Sequence, residues 1–246
     1  MALMSEAGSV LELWRYPVKS MGGESLDRAT VNELGFVGDR LWAIRDETTG
    51  LVTDGKKIPK LMTCYARYLQ EPGPAASDLP PPVAITLPDG CVLRSDDSDV
   101  HQRLSSYCDR SVTLISRESA SFFDVHTLHL LSTASVAALQ AATPSSKFSA
   151  SRFRPNLLID TGEVVGRVEH GWCGSSATVG TLRIRFEAPT ERCSMVMRAH
   201  GEWPDDPAIL KAVVEDGNFV GVYGTVERAG AVKLGQILEV LAAKKP

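Results

Sequence analysis

Apolar residues in this chain come in short runs, most of them cut off by glycine, proline, asparagine or aspartate before a helical stripe can build up. Val10 to Tyr16, Arg40 to Arg45, Cys64 to Leu69, Val83 to Leu87, Val112 to Ile115, Leu157 to Asp160, Thr181 to Phe186, Phe219 to Val226 and Gln236 to Val240 read as strands. Thr49-Gly50 and Asp89-Gly90 sit between such runs as hairpin turns do. Helical patterning is confined to Asp97 to Tyr107, the Ala-rich Ser132 to Ala142 that stops before Pro144, and Pro207 to Glu215. Many short strands with isolated helices favour barrel-like sheets over a doubly wound α/β fold, so the expected class is mainly β (α+β).

A chain of 246 residues with 43% hydrophobic and 23% charged side chains can bury a sizeable core, which excludes disorder as its main state. The length suits two closely packed units. The Pro-rich Glu71 to Pro82 reads as a loop inside the first half, and the break between units is expected at Arg117 to Phe123. With 26 Lys and Arg against 30 Asp and Glu, the net charge of −4 excludes a general basic footprint for nucleic acid. An anion site must therefore be local. No run approaches the roughly 20 apolar residues of a membrane span, and the first residues lack the basic and apolar regions of a leader, so a cytoplasmic location is expected. Five scattered cysteines, without a Cys-x-x-Cys pair, argue against a disulfide framework.

Five segments carry residue types suited to an anionic ligand. Tyr16-Pro17-Val18-Lys19-Ser20-Met21-Gly22-Gly23 offers a point charge at Lys19, a hydroxyl at Ser20 and glycines that let backbone approach. Gly38-Asp39-Arg40-Leu41-Trp42 delivers a guanidinium at a strand end, where an Asp39–Arg40 surface pair is the competing reading. Ser132, Thr133 and Ser135 crowd one helix start, and N-capping explains only one of them. Arg152-Phe153-Arg154-Pro155-Asn156 supplies several donors before a strand. Arg192-Cys193 places a thiol beside a cation, which favours its thiolate, whereas Cys64, Cys91 and Cys108 read as small buried hydrophobes. His126 with His129, and His170 with Cys173, do not make up a tetrahedral zinc set. No nucleophile elbow, phosphate-binding loop or dinucleotide fingerprint is present in the sequence.

Taken in order, Tyr-Pro-Val-Lys-Ser (16–20), Gly-Asp-Arg-Leu-Trp (38–42), Phe-Arg-Pro-Asn (153–156), Arg-Cys (192–193) and Gly-x-Tyr-Gly (221–224) resemble the MOSC (molybdenum cofactor sulfurase C-terminal) domain family with its N-terminal β-barrel domain. The layout is similar to bacterial relatives of the mitochondrial amidoxime-reducing component. The resemblance implies an N-terminal β-barrel-like domain at 8–117 packed on a C-terminal MOSC β-barrel at 122–243 with a few helices. It implies a molybdenum cofactor (Mo-molybdopterin) with Cys193 as catalytic residue and metal ligand. Lys19, Ser20, Arg40, Ser132, Thr133, Ser135, Arg154, Asn156 and Arg192 are then expected to bind the pterin and its phosphate.

The implied activity is a molybdenum-dependent oxidoreductase that reduces N-hydroxylated small molecules such as amidoximes and hydroxylamines. No ferredoxin-like segment with clustered cysteines follows Val240, so a separate electron-donor protein, a flavoprotein, ferredoxin or cytochrome, is expected as partner. The alternative reading is a sulfur or cofactor carrier using a Cys193 persulfide; a third is a module that stores the cofactor without turnover. The relatives often carry a second cysteine where this chain has Thr190.

Overall fold

A computed structural model describes residues 4–73, 79–117, 121–123 and 125–241. Its centre is a closed ring of seven strands, in the order Leu157–Asp160, Leu128–Ser132, Phe219–Arg228, Leu182–Glu191, Ser176–Val179, Ile237–Leu241 and Met4–Arg15. Closure comes from the first strand, which pairs Ser9 with Ile237 on one side and Val10 with Ile159 and Leu13 with Leu157 on the other. Residues 8–15 belong to the first expected unit, yet their hydrogen bonds complete the barrel of the second. Among these pairs Leu128–Ser132 beside Leu157–Asp160 is parallel, and the intervening helix α2 (Thr133–Ala142) makes the crossover such a pair requires.

Inward-facing residues alternate along the ring, and Leu13, Leu128, Leu130, Leu157, Ile159, Ile184, Phe186, Val222 and Leu238 form its core. The other face of Leu128–Ser132 is covered too: Leu131 packs with Leu139, Phe153, Val196, Ile209 and Val213 beneath α2 and a second helix, α3 (Pro207–Glu215). Buried on both faces, this strand (Leu-His-Leu-Leu-Ser) has every residue buried and shows no period-two alternation. The same outer cluster seats the 3-10 turns Ala150–Phe153 and Ser194–Met197, which carry Arg152 and follow Cys193.

The first half has its own core of Val18, Met21, Ile44, Leu61, Ile85, Leu93, Leu104 and Leu114, gathered in part from two three-stranded sheets and the first helix, α1 (Val100–Cys108). Both expected hairpins are present. Gly50 (φ 68°) links Trp42–Asp46 to Leu51–Val52, and Gly90 (φ 84°) links Val83–Thr86 to Val92–Arg94. The break expected at Arg117 to Phe123 and the Pro-rich Glu71 to Pro82 each fall partly outside the described residues. Among the described residues no helix is long and apolar enough to cross a membrane.

Candidate functional site

The end of the first strand and the two motifs that follow it are zipped together by backbone hydrogen bonds. Arg40 N–H donates to Tyr16 O (2.8 Å), Trp42 N–H to Pro17 O (3.0 Å) and Lys19 N–H to Trp42 O (2.8 Å). The carboxylate of Asp39, fully buried, accepts from Tyr16 N–H (2.7 Å) and from Asn156 Nδ2 (2.9 Å) and pairs with the Arg40 guanidinium. Asn156 also donates to Trp14 O (3.2 Å) and accepts from His129 N–H (3.2 Å). Its amide therefore joins three segments, and Asp39 is the carboxylate that holds them.

These ties set a cleft of about 160 Å³ between the two halves of the chain. Among the described residues it gathers five cationic side chains, Lys19, Arg40, Arg152, Arg154 and Arg192, against Glu191 on the wall and Asp39 beneath. Arg40 lies against the rings of Tyr16 (4.7 Å) and Phe123 (5.2 Å), and Arg154 against Tyr16 (4.3 Å) while donating to Met21 O (2.6 Å). Lys19 Nζ donates to Phe122 O (3.0 Å). Arg192 donates from Nε to Val220 O (2.9 Å) and from Nη1 to Phe153 O (3.1 Å). Burial pulls its guanidinium down to about 10, so it remains a cation at neutral pH.

Arg192 Nη2 also donates to His129 Nε2. Burial, and then the charge of Arg192, hold this imidazole well below its usual 6.5. Neutral and accepting at Nε2, His129 carries its proton on Nδ1, where it donates to Arg154 O (3.3 Å). The pair explains one glycine of the Gly-x-Tyr-Gly run. A Cβ on Gly221 (φ 79°) would lie 2.3 Å from His129 Nε2, so only glycine leaves the ring its place.

Ser20 (φ 69°), Arg40 (φ 55°) and Arg154 (φ 54°) all occupy the left-handed region, where a side chain costs about 1–2 kcal/mol. Each of the three lines the cleft. Their hydrogen bonds hold them there: Ser20 Oγ accepts from Gly55 N–H (2.9 Å), which leaves its own proton available to a ligand.

Cys193 is exposed on this cleft, at the turn between the strand Leu182–Glu191 and the 3-10 turn Ser194–Met197. Next to it, Thr190 is buried and its hydroxyl finds no partner among the described residues. His126 and Tyr223, whose rings stand 5.0 Å apart, complete the wall.

The structure thus brings Lys19, Ser20, Arg40, Arg154, Asn156, Arg192 and Cys193 together, and it places Ser132, Thr133 and Ser135 elsewhere. Ser132 caps α2 by accepting from Ser135 N–H (3.1 Å). The hydroxyls of Ser132 and Ser135 donate to the fully buried Glu169 carboxylate (2.5 and 2.6 Å), while Thr133 meets Thr161 (3.2 Å). The anion at this helix N-terminus is the chain's own Glu169. Sequence reasoning did not single out Asp39, His126, His129, Arg152 or Tyr223 as site residues. The signal for Arg152 was its place in the Arg-rich run; for His129 no local signal exists.

Residues 108–239 match the family model of the MOSC domain, and residues 7–79 match that of the MOSC N-terminal beta barrel domain. Over 69 residues the chain is 36% identical to mitochondrial amidoxime reducing component 2 of Bos taurus, a stretch that spans 26% of this chain and 20% of that protein. The YUAD protein from Bacillus subtilis superposes over 98% of both chains with a TM-score of 0.54 at 15% identity, which shows a shared fold. YiiM from Geobacillus stearothermophilus covers 47% of this chain and 54% of its own at 18% identity, with a TM-score of 0.37.

Proposed function

Because the chain belongs to the MOSC domain family, we propose that its cleft holds a molybdenum cofactor and that the protein reduces N-oxygenated small molecules. The observation that carries this reading is the joining of five cationic side chains and one exposed thiol in a single cleft. Such a donor set fits the proposed group. Basic side chains suit a phosphate, a soft thiolate suits molybdenum, and the unanswered Thr190 hydroxyl awaits a polar ligand atom. Distant similarity to the amidoxime reducing component supports the choice of reaction.

In this reading Lys19, Ser20 and Arg40 hold the phosphate, Arg154 and Arg192 face the pterin, and Cys193 ligates the metal. Asn156 acts through Asp39 and the loops it fixes rather than by contact, since its amide is engaged. When bound, the cofactor supplies the electron pair for cleaving an N–O bond. Residues of the chain do the rest. The His129–Arg192 hydrogen bond keeps a buried cation oriented toward the cleft, and the His126 imidazole and Tyr223 hydroxyl are wall groups able to carry a proton to a departing oxygen. We infer a cytoplasmic protein that takes its electrons from a separate donor protein.

Expression in a host that makes the cofactor tests the reading. Purified protein is expected to contain molybdenum and pterin and to reduce an amidoxime with a chemical reductant, and Cys193→Ala is expected to abolish turnover. A labile added sulfur on Cys193 without metal would instead favour the persulfide carrier.

A further inference from the structure

Arg152 and Arg154 also line a second, smaller cavity of about 40 Å³, together with Trp14, Met62, Tyr65, Ser151 and His200. Among the described residues no Asp or Glu contributes to its lining. Arg152 is only 3% exposed and has no ion pair among the described residues. Its Nη1 donates to Val196 O (3.3 Å) and Arg198 O (3.2 Å) and its Nη2 to Pro204 O (3.0 Å), but its Nε–H finds no acceptor among the described residues. His200, 8% exposed, is bonded through Nε2 to Ser151 Oγ (2.9 Å); the Arg198 backbone favours its charged form, and its Nδ1 makes no well-formed hydrogen bond among the described residues.

Burial and the neighbouring Arg152 hold the His200 imidazole down to about 4, so at neutral pH the ring carries one proton. Ser149 Oγ lies 2.7 Å from Ser151 Oγ and can supply it with a hydrogen bond, freeing the Ser151 proton for His200 Nε2. The ring proton then sits on Nδ1. Two buried N–H groups on residues that line this cavity, one of them on a guanidinium that feels Asp205 and Asp206 without a direct ion pair, have no hydrogen-bond acceptor among the described residues. Leaving such donors unanswered is costly.

We propose that this cavity binds a small, weakly hydrated monovalent anion of halide or nitrate size, held by Arg152 Nε–H and His200 Nδ1–H against the indole of Trp14 and the thioether of Met62. At about 40 Å³ against about 160 Å³ for the larger cleft, the cavity is sized for a small ion rather than for a pterin. The apolar wall favours an anion that sheds its hydration readily. Its occupancy would neutralise Arg152 and fix, from behind, two guanidiniums that also face the larger cleft. The site stands independently of the cofactor reading, because His200 does not line that cleft.

The test uses the full chain and bromide. Crystals soaked in sodium bromide are expected to give an anomalous peak in this cavity. In solution, bromide is expected to raise Tm saturably at constant ionic strength, with sodium methanesulfonate, whose anion is too large, as the balancing salt. His200→Leu removes a hydrogen bond to a charged group and is expected to weaken the bromide effect on the order of tenfold. Ser151→Ala, which frees the ring tautomer, should weaken it less. Water alone in the cavity of the soaked crystal, or an undiminished bromide effect in a folded His200→Leu, overturns the proposal. If His200→Leu does not fold, the wild-type soak and Ser151→Ala decide.

Discussion

Removing the Asp39 carboxylate should separate the three segments that shape the cleft. In Asp39→Ala the Tyr16 N–H and one Asn156 N–H lose their acceptor and the Arg40 guanidinium loses its counter-ion. An unsatisfied buried donor costs about 1–3 kcal/mol, and breaking a buried ion pair about 3–5 kcal/mol. Arg40 keeps 15% of its side chain exposed, so it can turn partly toward water, and the asparagine shares its Nδ2 with Trp14 O. The sum therefore comes down to about 4 kcal/mol, a large fraction of the stability of a typical domain. Asp39→Asn retains the acceptor for Tyr16 but sets an amide N–H against the remaining donors, and should cost about half as much. Urea denaturation measures both, with the m-value unchanged if the unfolded state is the same. A double-mutant cycle with Asn156→Ala should show coupling of about 1 kcal/mol or more. A loss for Asp39→Ala below about 1 kcal/mol, or strict additivity with Asn156→Ala, would refute the view that this carboxylate ties the site together.

Three further outcomes follow from other parts of the structure. Glu169→Ala should cost about 2–4 kcal/mol in urea titrations, because the Ser132 and Ser135 hydroxyls lose their acceptor, and Glu169→Gln should recover part of it; a neutral Glu169→Ala would contradict the helix-terminus account. His200, held at about 4 against the usual 6.5 by burial and Arg152, takes up its proton in the unfolded chain before the folded one as pH falls. Wild-type stability should then drop by up to about 3 kcal/mol more than that of His200→Leu between pH 6.5 and 4; parallel pH profiles would count against it. Brief iodoacetamide treatment should alkylate Cys193 first, since it is exposed while burial pushes the Cys64 and Cys108 thiols up to about 12 and about 11. Peptide mass spectrometry reads the order, and early labelling of Cys64 or Cys108 would be inconsistent with the fold.

Where local chemistry decides structure, the sequence was readable. Pro207 starts α3, Ser132 caps α2, and Asp89-Gly90 turns a hairpin, each through contacts within a few residues. Leu128–Ser132 is not among the strands read from the sequence, and only Ser132 was placed, at the start of a helix, because a strand buried on both faces has no alternation to announce it. Long-range pairing was equally silent: nothing near Val10 says that its partners are Ile159 on one side and the Ile237–Leu241 strand on the other. The same holds at the site. Lys19, Arg40, Arg154 and Cys193 were found as donor types in motifs, but their assembly depends on Asp39 and Asn156, 117 positions apart. The three hydroxyls of α2 looked like an anion site because Glu169, 37 positions from Ser132, was not visible as their acceptor. The left-handed backbone of Arg40 and Arg154 has no sequence signal at all, since arginine is not a residue that seeks it.

Molybdenum X-ray absorption on protein from a cofactor-competent host, compared between wild type and Cys193→Ala, bears on the central claim most directly. With two sulfurs expected from the pterin dithiolene, wild type should show three sulfur neighbours to the metal and Cys193→Ala two, at matched pterin content. Equal sulfur counts in the two proteins, or wild-type protein that carries neither metal nor pterin, would contradict the assignment of this cleft.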